Sequence, residues 1–467
     1  MMQRVVCRMT GTFLLLSLAG AQQIPINTAT LEVDAGGGTP YATIQSAIDA
    51  AGPGVDDVFV HCGIYPEHVV MRDGIPVRGE SPRCTIIDGQ RTGVGVTLDD
   101  LGPQAVLRGF TVRNGLAAVG IGGGIKIRGG SPVITRNVIE HNGSPFGPSG
   151  GAIFVGLGFG GTNDPVISYN IIRGNEGLFG GALYLGNADG ALVAGNLFVG
   201  NVGYYGGAMY VKSSSASIVN NTIVGNAAYY GAGLFLATEE AVVANNVITD
   251  NTMITVDFGC GGGVYDPVGS TFTANDLFGN RPDDFCGSAD PTGTDGNISV
   301  DPMFVDRHDD FGGFQPRSDS PLIDAGSDTW VPTVDLRGVP RPMDGDADGL
   351  ARVDIGAREN EGLTRLRASA VTGEFFWDPG THVPQDYNAY RGDLATLRQT
   401  GIYTQDPATV PGARHFCDIS GSLGDSDLPD PGQVFFYLPV AWGAIEGSLG
   451  FDHRPIERPK HLSCEGP

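Results

Sequence analysis

Only three lysines occur in the 467 residues, Lys126, Lys212 and Lys460, so any reaction that needs an amine base has few candidates. Removing the proton α to a sugar carboxylate takes a Lys or Arg base and a neutraliser for the developing charge, often Ca²⁺ held by acids. Lys126, Arg128 and Lys212 lie in short apolar, strand-like runs and are the catalytic candidates, with Glu239, Glu240 and Asp266 as acids nearby. Asp344, Asp346 and Asp348 have the D-x-D-x-D-G spacing that gathers hard oxygens around one Ca²⁺. The match is imperfect: Ile355 holds the usual acidic twelfth position and Asp354 comes one place early. Asp283-Asp284 is a carboxylate pair able in principle to divide acid and base roles. It follows Pro282 and reads as a solvated turn.

A second chemistry-bearing pattern is aromatic. Phe154, Tyr184, Tyr210, Phe235 and Tyr265 each sit in the same recurring phrase, of which Gly180-Gly181-Ala182-Leu183-Tyr184 is one copy. Rings repeated at fixed intervals can contact successive sugars of a glycan, or can simply stabilise adjacent strands by cross-strand pairing. Tyr204-Tyr205 and Tyr229-Tyr230 add a second set at the preceding turn.

These residues need a scaffold that repeats, and the sequence writes one. Asn pairs five apart recur at Asn137/Asn142, Asn170/Asn175, Asn196/Asn201, Asn221/Asn226, Asn246/Asn251 and Asn275/Asn280. The first Asn returns after 33, 26, 25, 25 and 29 residues. A period in this range means a solenoid, here a coil of three short strands and three turns. Gly doublets and Asn-rich turns exclude uninterrupted helical repeats. Strand alternation sends Ile153/Val155, Leu183/Leu185, Met209/Val211 and Leu234/Leu236 inward and the residue between them outward. Lys126 joins the aromatic column, while Arg128 and Lys212 share the next outward column. The Asn residues fit turn positions, where Asn tolerates left-handed geometry and its amide can bond the equivalent Asn one coil away.

This Asn-ladder pattern resembles the right-handed parallel β-helix of the pectin-lyase-like superfamily over roughly residues 29 to 360. The phrase from Tyr41 to Ala51 is similar to the opening of pectinesterase-like and pectate-lyase-like members, a marker of fold more than of activity. The hydrolase motifs that the resemblance would imply are missing. Of the pectinesterase set, only Asp257-Phe258 and Gln104-Ala105-Val106 bear a faint likeness. The segments around Asp301–Phe304, Ser320–Gly326 and Val353–Glu359 look like the closing coils of bacterial secreted β-helix proteins.

The ends read differently. Residues 1–21 have the basic end, short apolar run and Ala19-Gly20-Ala21 site of a secretory signal, too short to span a bilayer. Ile44, Ala47, Ile48 and Ala51 form one face of a helix that would plug the first coil. Residues 363–467 carry strand-like runs rich in Tyr, Trp and Phe and resemble a fibronectin type III-like sandwich. Six cysteines follow the signal, and sequence-near pairing suggests Cys62–Cys84, Cys260–Cys286 and Cys417–Cys464.

The expectation is an all-β chain: a right-handed parallel β-helix over residues 22–362 with an N-terminal helical cap, then a small β-sandwich over 363–467. Its 28 basic against 52 acidic side chains give a net charge of −24. That surface repels nucleic acid and anionic lipid, and disfavours polyanionic substrates unless metal ions intervene. The functional expectation is recognition of extracellular polysaccharide along the aromatic sheet, with lyase-type cleavage possible and Ca²⁺ the one cofactor implied. The alternative is a non-catalytic surface, adhesion or spacer solenoid.

Overall fold

The computed structural model describes residues 29–360 except 118–121, 145–149, 157–162, 239, 256–259, 308–312, 330 and 346–349; beyond 360 it describes six strands between Arg367 and Ala441. The signal-like residues 1–21 lie outside this set.

Parallel strands stack into three long sheets of ten, nine and nine strands. In one coil the chain passes through Val166–Ser168, Ile171–Arg173 and Leu183–Gly186, one strand in each long sheet, before starting the next coil at Leu192–Ala194. The register is strict: Leu183 pairs with Met209, Tyr184 with Tyr210 and Leu185 with Val211. The middle coils depart from the three-strand expectation. Segments Gly143–Ser144, Glu176–Phe179, Val202–Tyr205, Ala227–Ala228 and Thr252–Met253 form a fourth, five-stranded sheet at the corner before the Gly-Gly phrase.

Alternation does what the pattern requires. Ile153, Val155, Leu183, Leu185, Met209, Val211, Leu234 and Leu236 are all fully buried in one continuous core, each stabilising by roughly 1.5–3 kcal/mol in transfer terms. The Gly doublet is dictated by backbone proximity. Gly180 has φ +69°, and a Cβ on Gly181 would sit 2.3 Å from the Gly207 carbonyl oxygen of the next coil.

Both Asn columns are continuous, buried ladders. Asn196 Oδ1 accepts from the backbone N–H of Asn170 at 2.9 Å and from its Nδ2 at 3.0 Å, and the same pair of bonds repeats coil after coil. The left-handed backbone is not at the ladder Asn itself but one residue before it, at Arg136, Tyr169, Gly195, Asn220, Asn245 and Ala274. The ladder Asn satisfies the polar groups that this sharp corner would otherwise orphan. One column runs past Asn275 to Asn297. The other is terminated by Asp284, whose Oδ1 accepts from Asn280 N and Nδ2.

Helix Ile44–Ala50 closes the first coil as expected, with Ile44, Ala47 and Ile48 buried. Thr43 caps it, and both Glu67 carboxylate oxygens accept first-turn N–H groups, from Ile44 and Gln45. The segments read as closing coils do something else. After Ile298 the chain turns back along the outside of the solenoid, and Phe304, Phe314, Leu322 and Ile355 cover Val138, Ile171, Leu197, Val224 and Val247. Those five residues flank the inward Ile139, Ile172, Phe198, Ile223 and Ile248 in their strands, so the outer face of this sheet is apolar and needs covering. Asn220 Nδ2 donates to the Asp354 carbonyl, and Thr222 Oγ1 accepts from Ala357 N–H, tying the strap to the coils.

Disulfides join Cys62 to Cys84 and Cys260 to Cys286, each bridging neighbouring coils. Cys464, and with it the third expected pair to Cys417, lies outside the described residues. Beyond residue 360 the described strands pair antiparallel in two three-stranded sheets, one centred on Glu374–Phe376 and the other on Tyr387–Asp393. The expected fibronectin type III-like sandwich rests on residues largely outside the described set.

Candidate functional site

The aromatic column forms in the expected register. Phe154 stacks on Tyr184 at 5.1 Å between ring centroids with planes 4° apart, Tyr184 on Tyr210 at 5.7 Å, Tyr210 on Phe235 at 5.0 Å, and Phe235 meets Tyr265 at 4.8 Å. The corner sheet supplies a second column: Phe179 on Tyr205 at 5.2 Å and Tyr205 on Tyr230 at 5.3 Å. Tyr204 stacks on Tyr229 at 4.7 Å beside it. The two columns interlock through edge contacts of Phe179 with Tyr210 and of Tyr205 with Phe235. Tyr184 and Tyr210, in the interior of the column, stack on a ring on both sides, so their faces are covered. Tyr204 is the most open, 41% exposed. Burial pushes the phenols of Tyr184 and Tyr210 above the usual tyrosine value, so they remain protonated donors at neutral pH.

The three basic candidates do not converge. Lys126 lies in the aromatic column beside Phe154, but its ammonium is buried and faces Asp99 Oδ2 at 3.4 Å. Arg128 binds the same carboxylate through Nε at 3.1 Å and Nη2 at 2.6 Å. The hydrogen bond from Arg128 and the nearby Lys126 charge outweigh burial and hold the Asp99 carboxyl below its ordinary value. Lys212 is exposed in the Arg128 column, three strand spacings away, or about 14 Å. Asp266, an acid near these strands, turns inward and accepts the N–H groups of Gly269 and Ser270. Glu239 and Asp257 lie outside the described residues.

Other acids are structural. Asp283 Oδ1 accepts from Gly261 and Gly262 N–H, and Asp284 ends an Asn ladder, so this pair is spent on closing the coil rather than solvated in a turn. Asp344 is buried, whereas Asp346 and Asp348 lie outside the described residues. No cluster of three metal-capable side chains occurs among the described residues.

A feature the sequence reading missed lies on another sheet. A groove of about 420 Å³ is lined by five arginines, Arg78, Arg83, Arg108, Arg136 and Arg337, with Phe59, Tyr169 and a single acid, Glu80. Arg78 and Arg108 are direct partners on adjacent parallel strands, and Arg136 follows Thr135, the partner of Arg108. Their spacings of 30 and 28 residues are close to one coil, a signal that a search for recurring Arg would have found. The strap brings Arg337 to the rim, where Asp335 Oδ1 accepts from the N–H groups of Arg337 and Val339 to fix the turn. The net charge of −24 had argued against polyanionic ligands; locally the surface has the opposite sign.

A family model described as "Right handed beta helix region" matches residues 73–277. The fold is a right-handed parallel β-helix. Among solved structures, this β-helix is similar to pectin methylesterase PemA from Erwinia chrysanthemi, at 12% identity, over 62% of this chain and 98% of that one, with a TM-score of 0.29. No curated protein matches the sequence.

Proposed function

We propose that this β-helix is an extracellular glycan-recognition solenoid in which polysaccharide lies along the interlocked aromatic columns. The carrying observation is the continuous strip from Phe154 to Tyr265, flanked by the open Tyr204–Tyr229 pair. Tyrosine edges and protonated hydroxyls, repeated once per coil, suit a ligand of repeating hydroxylated units. Two disulfides accord with an oxidising, extracellular setting, and no helix among the described residues is long and apolar enough to cross a membrane.

The reading is recognition without cleavage. Lys126 and Arg128 are committed to Asp99, and Lys212 stands alone about 14 Å from them, so base and charge neutraliser do not meet. The uninterrupted ring stacking favours one other reading, a rigid spacer whose aromatics only hold coils together.

The test is co-sedimentation of the protein with a panel of neutral and acidic polysaccharides, with ultraviolet absorbance followed in parallel. Binding that falls roughly tenfold in Tyr204→Ala/Tyr229→Ala supports the proposal. Unchanged affinity for every bound glycan refutes it, and no binding at all leaves the spacer. Growth of an unsaturated product that Lys212→Ala abolishes would make the protein a lyase.

A further inference from the structure

The arginine groove is separate from the aromatic strip and on a different sheet of the same solenoid. Three features make it a site rather than a scatter of surface charge. First, its cations are ordered along the coil axis: Arg78 and Arg108 on successive strands, Arg136 on the following turn, about 4.8 Å per coil. Second, two guanidiniums lie over ring faces, Arg78 over Phe59 at 5.9 Å and Arg136 over Tyr169 at 5.1 Å, a contact that narrows the positions each can take. Third, Arg108 at the centre of the row is under-compensated. Arg78 pairs with Asp57, but Arg108 has no carboxylate partner among the described residues. Desolvation, with Arg136 and Arg78 beside it, lowers the pKa of Arg108 below the ordinary arginine value. An anion in the groove would relieve the repulsion between these like charges.

We infer that the groove formed by Arg78, Arg108, Arg136 and Arg337 binds the carboxylates of an acidic glycan, as a short run of uronate units. This deepens the glycan reading and rests on it. Carboxylates match the bidentate fork of arginine, and a ligand whose anions repeat along a chain matches cations that repeat along an axis. A single phosphate would engage only one step of the array. A long, densely charged polyanion such as nucleic acid would meet the −24 field beyond the groove, so the fit is to a few consecutive charges. The volume of about 420 Å³ suits a few sugar units at most.

The experiment is titration calorimetry of the full chain with trigalacturonate, its methyl-esterified form and inorganic phosphate, on the parent protein, Arg108→Gln and Arg108→Lys. The expected result is that the acid binds and the ester does not. Arg108→Gln then weakens binding roughly tenfold to a hundredfold, and Arg108→Lys, which keeps charge without the fork, falls between. Thermal unfolding of Arg108→Gln should be unchanged or higher, because a like-charge contact is relieved. Equal binding of acid and ester, or affinity indifferent to Arg108→Gln, overturns the proposal. Phosphate that binds as tightly as trigalacturonate overturns its glycan part. Loss of acid binding in Tyr204→Ala/Tyr229→Ala with none in Arg108→Gln would leave the aromatic reading intact and remove this one. The reverse pattern would keep the groove and remove the strip.

Discussion

Replacing Asn221 by Ala cuts one rung from the middle of the buried ladder. The Asn221 amide makes five hydrogen bonds: Oδ1 accepts from Asn196 N–H at 2.9 Å and Nδ2 at 3.0 Å, and Nδ2 donates to the Val193, Val219 and Asn246 oxygens. Several partners keep an alternative. Asn196 Nδ2 still reaches Ile167 and Ala194, Val219 still accepts from Gly195 N–H, and Asn246 Oδ1 still accepts from Asn221 N–H. The backbone N–H of Asn196 loses its Asn221 acceptor in a fully buried setting. One orphaned donor costs about 1–3 kcal/mol and the lost bond to the Val193 oxygen about 0.5–1.5 kcal/mol, so the expected destabilisation is about 1.5–4.5 kcal/mol. Equilibrium denaturation in urea, read by circular dichroism, measures it. In a solenoid each coil leans on its neighbours, so the loss should broaden or split the transition as well as shift it. A loss below about 1 kcal/mol, with the transition unchanged, would refute the claim that the ladder satisfies groups the corner otherwise orphans.

Asp276 offers a test of opposite sign. Burial raises its carboxyl to about 8, helped by Asp284 and Asp301 and opposed by the Val300 N–H, which Oδ1 accepts at 3.0 Å. Below the unfolded value of about 4 both states are protonated. From there to about 8 only the unfolded state ionises, so stability falls as pH rises, by up to about 1.4 kcal/mol per unit. Asp276→Asn should remove that slope and gain increasingly on the parent from pH 4 to 8; a pH-independent difference in denaturant midpoint would contradict it. Calcium at Asp344, Asp346 and Asp348 predicts a melting temperature raised by millimolar Ca²⁺, by about 2.7 kcal/mol of stability at a hundredfold excess over Kd, and lowered by chelator. Indifference to both would remove the site.

Local rules made much of this protein legible before any coordinates. Leu183, Met209 and Leu234 had to face inward because a strand alternates, and their period had to close into coils because only neighbouring copies could bury them. The Asn ladders followed from two polar side chains recurring in a buried turn, and the capping helix from the exposed end of the first coil. The same rules placed Lys126, Phe154 and Tyr184 in one column.

Other features needed the tertiary structure, because they depend on which groups meet rather than on which groups recur. Ring orientation in the aromatic column is set by packing between coils, from 4° between the planes of Phe154 and Tyr184 to 46° between Phe235 and Tyr265. Asp99, in an earlier coil, decided that Lys126 and Arg128 are an ion-paired cluster and not a free base. The return of residues 298–357 along the outer sheet was hidden, since Phe304, Leu322 and Ile355 name no partner in their own sequence. That return brings Arg337 to arginines more than 200 positions earlier. Net charge is a sum over the chain and was readable at once. The field in a groove is a sum over neighbours, which the chain acquires only by folding.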